Sequence, residues 1–177
     1  MIRWNPPPPG TLKLNCDRTI MNNRLASCGG ILRDSYGSFI LAYAGLIGRC
    51  SVAQAELWAI YHGLRLIKDK FISSPIIIES DSSTVVSFLN EGCPRSHSCY
   101  SLLNHIVRMS GGFHKIDCSH VLREDNKVDD GFAKLGFSLP EGVHSFSSPQ
   151  VGHIFFYLLI SLQFFSLVDI SFCILNF

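Results

Sequence analysis

The stretch Leu12-Lys13-Leu14-Asn15-Cys16-Asp17 alternates apolar and polar residues with the period of a strand that covers one face, and it ends on a carboxylate. Asn22-Asn23 then supplies a turn, and residues 26–33 (ASCGGILR) form a second strand loosened by Gly29-Gly30. Asp34-Ser35-Tyr36-Gly37 is a strong turn signal, after which residues 38–45 (SFILAYAG) give a third strand. Short-looped strands in succession imply an antiparallel meander.

Downstream the period changes. Ser51 with Gln54 makes a capping box, and Ala55, Trp58, Ala59, Leu64, Leu66 and Ile67 fall at helical spacing, which predicts a long helix over 52–70. Pro75 stops it. Ile76-Ile77-Ile78 is a β-branched run without polar alternation, read as a buried strand that runs out at Glu79-Ser80-Asp81. Ser82 or Ser83 caps a helix closed by Gly92 and Pro94, and residues 99–109 make another that ends at Gly111-Gly112. Residues 115–122 give a fifth strand, and 128–135 a helix weakened by Gly131. The order βββ-α-β-α-α-β-α predicts an α/β domain with a mixed sheet.

A chain of 177 residues suits one domain with a sizeable core. Its formal net charge of +1 gives no global basic field, so a nucleic-acid partner has to be argued from a local site. The cysteines number seven, without a CxxC pair, and Cys16, Cys28 and Cys118 sit in apolar strand-like runs, which favours a reducing, intracellular compartment, cytosol or nucleus. Residues 1–10 form a stiff lead-in around Pro6-Pro7-Pro8-Pro9 and show no N-terminal address. The expected division is a domain over 11–138, an exit linker over 139–150 and a hydrophobic tail over 151–177. Residues 154–168 (IFFYLLISLQFFSLV) and the run beyond them to about 175 are long enough for a membrane anchor, but Gln163 and Asp169 interrupt the span and no Lys/Arg cluster flanks it. A helix docked on the domain and a non-native extension are the alternatives. The extension ranks first, because Phe, Leu, Ile and Ser recur there without periodicity or caps.

Asp17 and Asp81 close strands, Glu56 lies one turn into the long helix on the face of Ala53 and Ala59, and Asp130 lies in the last helix. Sites in open sheets lie at the carboxyl ends of strands, by analogy with which these acids converge. Clustered carboxylates repel unless a cation neutralises them, and hard oxygen ligands suit Mg²⁺ or Mn²⁺. Such a cluster serves two-metal hydrolysis of a phosphodiester. Taken singly, Asp17 and Asp81 are better read as turn or cap residues, and Glu56 could merely be a favourable charge at a helix N-terminus. Trp58 and Tyr61 are read as packing, His62, His97, His105 and His114 have no ligand spacing, and Arg65, Lys68 and Lys70 form a solvated face by default.

The motifs LKLNCD (12–17), GGILRDSYGSFI (29–40), AELWAIYHGL (55–64), IIIESDS (76–82) and HVLREDNKVDDGFAKLG (120–136) together resemble the ribonuclease H-like domain of plant reverse-transcriptase-derived proteins, over about residues 4–146. The resemblance implies a five-stranded mixed sheet with helices on both faces and endonucleolytic cleavage of RNA in an RNA/DNA hybrid; two Mg²⁺ or Mn²⁺ ions, no small-molecule cofactor and a monomer are the accompanying expectations. It also implies that Asp17, Glu56, Asp81 and Asp130 bind metal, that His120 is the loop histidine assisting product release, and that Asn126 matches the Asn of the family's REAN segment, a nucleic-acid contact. Three departures bear on activity rather than fold. Arg18 stands where the family carries glycine, either to contact a phosphate or to block the groove, Asp129 adds a like charge beside Asp130, and Gly131-Phe132 replaces residues more favourable to the last helix. The alternative function is a catalytically silent nucleic-acid-binding module or a retroelement remnant.

Overall fold

A computed structural model describes residues 5–122 and 127–147 of the chain, the side chains of 127–129 excepted. Asn126, the side chain of Asp129 and the tail over 151–177 therefore lie outside the described residues. In chain order the elements are β1 (Leu12–Ile20), β2 (Leu25–Arg33), β3 (Phe39–Arg49), α1 (Val52–Asp69), β4 (Ile76–Ser80), α2 (Ser83–Glu91), α3 (Tyr100–Ser110), β5 (Ile116–His120), α4 (Lys127–Leu135) and β6 (Gly142–Phe146). They build a six-stranded sheet of order β5-β4-β1-β2-β3-β6. The β1/β4 and β4/β5 pairs are parallel, and β1/β2, β2/β3 and β3/β6 are antiparallel. The expected meander followed by parallel strands is present, and β6 extends it at the edge of β3, in the stretch read as a linker.

Local chemistry places the turns and caps. Asp34 Oδ1 accepts from the backbone N–H of Tyr36 and of Ser38, each at 2.8 Å, and fixes the β2–β3 turn. Ser51 and Gln54 form the reciprocal capping box that starts α1, and the Ser82 side chain caps α2.

Strand β1 departs from expectation in two ways. It continues past Asp17 to Ile20, because its pairing with β2 runs on to Ile20–Ala26, whereas its pairing with β4 stops at Asn15–Glu79. Both its faces are also covered. Leu14 and Cys16 enter the main core with Leu57, Ile60 and Leu64 of α1, while Lys13, Asn15 and Asp17 on the opposite face are buried as well. Two of these polar groups are paired along the strand: Lys13 Nζ lies 2.6 Å from Glu79 Oε1 and donates to the Asn5 carbonyl, and Asn15 Nδ2 donates to Glu79 Oε2 at 2.8 Å. A buried charge is tolerated only with such pairing.

Helices α1 and α3 share the main core with β1 and β4, whereas Phe132 and Leu135 of α4 pack on Ile31, Ala42 and Ala44 across the sheet. Close approach depends on missing side chains. Gly29 of β2 lies flush against the backbone of Phe132 and Ala133, so that a Cβ there would overlap α4. On the other face Gly30 and Gly63 leave room for the Tyr43 hydroxyl, which donates to the Ala59 carbonyl of α1 at 2.6 Å. The described cysteines are free thiols, and burial pushes that of Cys28 up to about 12. Among the described residues no helix is long and apolar enough to cross a membrane.

Candidate metal and nucleic-acid site

Three elements of different kinds deliver a carboxylate to one point. Asp17 lies on β1 beyond the last residue paired with β4, at the level where β1 faces Gly29 of β2. Asp81 follows Ser80, the final residue of β4, and precedes Ser82, the cap of α2, so strand end and helix start hold it from both sides. Glu56 comes from the first turns of α1, which the small residues Ala59 and Gly63 allow close to the sheet. One carboxylate oxygen from each of Asp17, Glu56 and Asp81 lies within 4.8 Å of the others.

The electrostatics of this cluster are strained. Glu56 is fully buried and Asp17 is 1 % exposed. Burial is the main reason that the Asp17 carboxyl is pushed up to about 6; the charges of Asp81 and Asp130 raise it further, opposed by a hydrogen bond from the Arg18 N–H and by the Arg18 guanidinium. That N–H donates to Asp17 Oδ1 at 2.7 Å. The Arg18 side chain turns to α1, where its Nε lies 3.1 Å from Glu56 Oε1. The Nε–H is not aimed at the oxygen, so the contact is one of charge rather than a hydrogen bond.

Asp130 of α4 acts on Asp17 through its charge but stands outside the group of three, and Lys134 one turn on holds it with Nζ 2.5 Å from Oδ2. His120 closes β5 at the rim, exposed, with Nε2 3.1 Å from the Asp81 carbonyl oxygen, a contact that places the proton on Nε2. Lys134 and the Lys13–Asn15–Glu79 network escape the sequence reading. The first is signalled by its i,i+4 spacing from Asp130, the second by polar residues at every other position of β1. Away from the carboxylates, an open cleft of about 420 Å³ is lined by Leu46, Trp58, His62 and Val143, among others. There Trp58 stacks on His62 with ring centroids 5.4 Å apart, in keeping with a packing role, and burial lowers the His62 pKa to about 4.

Known proteins resemble the chain over the same region. The family described as reverse transcriptase-like matches residues 15–136. A protein of Arabidopsis thaliana with the name "Putative ribonuclease H protein" is 41 % identical over 151 residues, which are 82 % of this chain and 24 % of that protein. The chain thus spans about a quarter of that relative's length. Among solved structures, RNase H1 of the halophilic archaeon Halobacterium salinarum superposes with a TM-score of 0.67 at 22 % identity, covering 73 % of this chain and 98 % of that one. LC11-RNase H1, solved in complex with an RNA/DNA hybrid, gives a TM-score of 0.62 at 17 % identity, over 68 % and 92 % of the two chains. With its sheet order, its converging acids and a family match across most of its length, the chain belongs to the reverse transcriptase-like family and carries a ribonuclease H-like domain.

Proposed function

We propose that this chain is a metal-dependent endonuclease that hydrolyses the RNA strand of RNA/DNA hybrids. The observation that carries the proposal is the meeting of Asp17, Glu56 and Asp81 within 4.8 Å from β1, α1 and the end of β4. Nothing in the packing of a sheet calls for three carboxylates at one point, and their mutual repulsion is offset when a cation binds. The donor set is all carboxylate oxygen, which suits Mg²⁺ or Mn²⁺ rather than a soft metal.

Asp17, Glu56 and Asp81 would hold one ion between them, and Asp130 would join Asp17 around a second. Two such ions, when bound, supply an activated water and stabilise the leaving oxygen of an in-line displacement. The work of the protein is positional. The β1/β4 register sets the spacing of Asp17 and Asp81, the Tyr43–Ala59 hydrogen bond holds α1 and with it Glu56, and Lys134 orients Asp130. His120, beside Asp81 on the exposed rim, would move a proton as product leaves, and Asn126 is assigned to nucleic-acid contact. We assign the chain one domain, a monomeric state and a reducing intracellular location.

The test is cleavage of a labelled RNA/DNA hybrid by the full chain with Mg²⁺ or Mn²⁺. Asp81→Asn is expected to lower the rate by roughly two orders of magnitude or more, the scale of losing one charge-stabilising group. Equal cleavage by wild type and Asp81→Asn refutes the metal role. Hybrid binding without cleavage by the wild type replaces this reading with that of a silent binding module.

A further inference from the structure

The acid cluster already contains a cation of its own. Arg18 Nε lies 3.1 Å from Glu56 Oε1, and its backbone N–H donates to Asp17 Oδ1 at 2.7 Å, so one residue engages two of the three clustered carboxylates. The Glu56 side chain is 1 % exposed, and an ionised carboxylate at that depth is costly without an opposite charge. The Arg18 side chain, by contrast, is 21 % exposed, although its Nε is buried against Glu56. A long, flexible side chain with one end near water can leave such a contact without unfolding the strand that carries it.

We propose that Arg18 is a tethered resident cation that occupies the Glu56 side of the cluster and competes with a divalent ion for it. This inference rests on the reading of the cluster as a metal site. The population with Arg18 on Glu56 is not competent to give that carboxylate to metal, so apparent metal affinity is the intrinsic affinity multiplied by the fraction of time Arg18 is away. Arg18 thereby sets the metal concentration at which the site fills, and loss of its charge removes the competitor.

The experiment is a titration of the full chain with Mn²⁺, in which free Mn²⁺ is followed by electron paramagnetic resonance, for wild type, Arg18→Gln and Arg18→Lys. Arg18→Gln is expected to bind Mn²⁺ roughly tenfold more tightly, the size of coupling typical of two linked sites, and Arg18→Lys to stay near wild type. In EDTA, Arg18→Gln is expected to melt at a lower temperature than wild type, because the buried acids lose their counter-charge. Equal Mn²⁺ affinity for wild type and Arg18→Gln overturns the inference and leaves the nuclease reading intact. Tighter binding by Arg18→Gln without hybrid cleavage supports it and removes the nuclease reading. Absence of binding in every variant overturns both. Should Arg18→Gln fail to fold, the wild type decides through its Arg18 Nε–H resonance, which is expected to shift on addition of Mg²⁺; a resonance unmoved at saturating Mg²⁺ overturns the competition.

Discussion

Asp17 is held toward its neutral form by burial and by the charges of Asp81 and Asp130, against the opposing pull of Arg18. Its folded-state value of about 6 lies above the 3.8 of an ordinary Asp, so between those limits the native state binds more protons than the unfolded chain. Stability of the metal-free protein is therefore expected to be greatest below about pH 4 as far as this residue is concerned, and to fall as pH rises through 6 by at most about 3 kcal/mol. Urea unfolding in EDTA at pH 4 and pH 7 measures this, with Asp17→Asn as the reference that lacks the term. A wild type that gains stability over that window relative to Asp17→Asn contradicts it. The acids were legible in the sequence because each closes or opens an element with its own strong pattern, Asp17 after LKLNC, Glu56 after the capping box and Asp81 after Ile76-Ile77-Ile78. Lys13 and Asn15 were not. In a strand a polar residue at every second position reads as a wet face, and only Glu79, distant in sequence and adjacent in space, reveals that the face is dry.

Helix α4 is the element whose placement is least secured by its own sequence and most by what it lies against. Its seat is the side chain that Gly29 lacks, together with the Ser27 hydroxyl, which donates to the Ala133 carbonyl at 2.5 Å. A methyl group at Gly29 would force α4 off the sheet and carry Asp130 with it. Gly29→Ala is accordingly expected to cost about 1–3 kcal/mol in denaturant unfolding, the usual range for overpacking, and to depress hybrid cleavage by more than that loss of fold explains. Full cleavage in a folded Gly29→Ala protein would show that Asp130 needs no such seat. Helix α1, in contrast, was readable to its first residue, since Ser51 and Gln54 satisfy each other's backbone and side chain locally. Strand β6 was not readable, because five residues at a sheet edge take their conformation from β3 rather than from a pattern of their own.

At the scale of the whole molecule, β6 is the last strand among the described residues. It covers the edge of β3 from Ala42 to Leu46, sets Val143 against Gly45, and brings Phe146 to 6.3 Å from Phe132. A chain that stops at Gln150 is expected to unfold in one cooperative step. One that stops at Pro140 is expected to lose roughly 2–4 kcal/mol, from loss of the apolar burial that Val143 and Phe146 provide, and to self-associate through the bared β3 edge in size-exclusion chromatography. Equal midpoints for the two would place the boundary at 138, where the sequence suggested it. The mixed sheet itself was foreseeable, since three strands with short turns followed by strand–helix alternation admit few arrangements. The deep thiol of Cys28 has a consequence of another kind. It sits in the middle of β2, fully buried, with its thiolate suppressed until about pH 12. Since only the thiolate attacks an alkylating reagent, Cys28 is chemically silent while the sheet is closed and reactive when β2 separates from its neighbours. The chain thus carries its own stopwatch, in which the slow disappearance of one sulfhydryl counts how often the sheet comes apart.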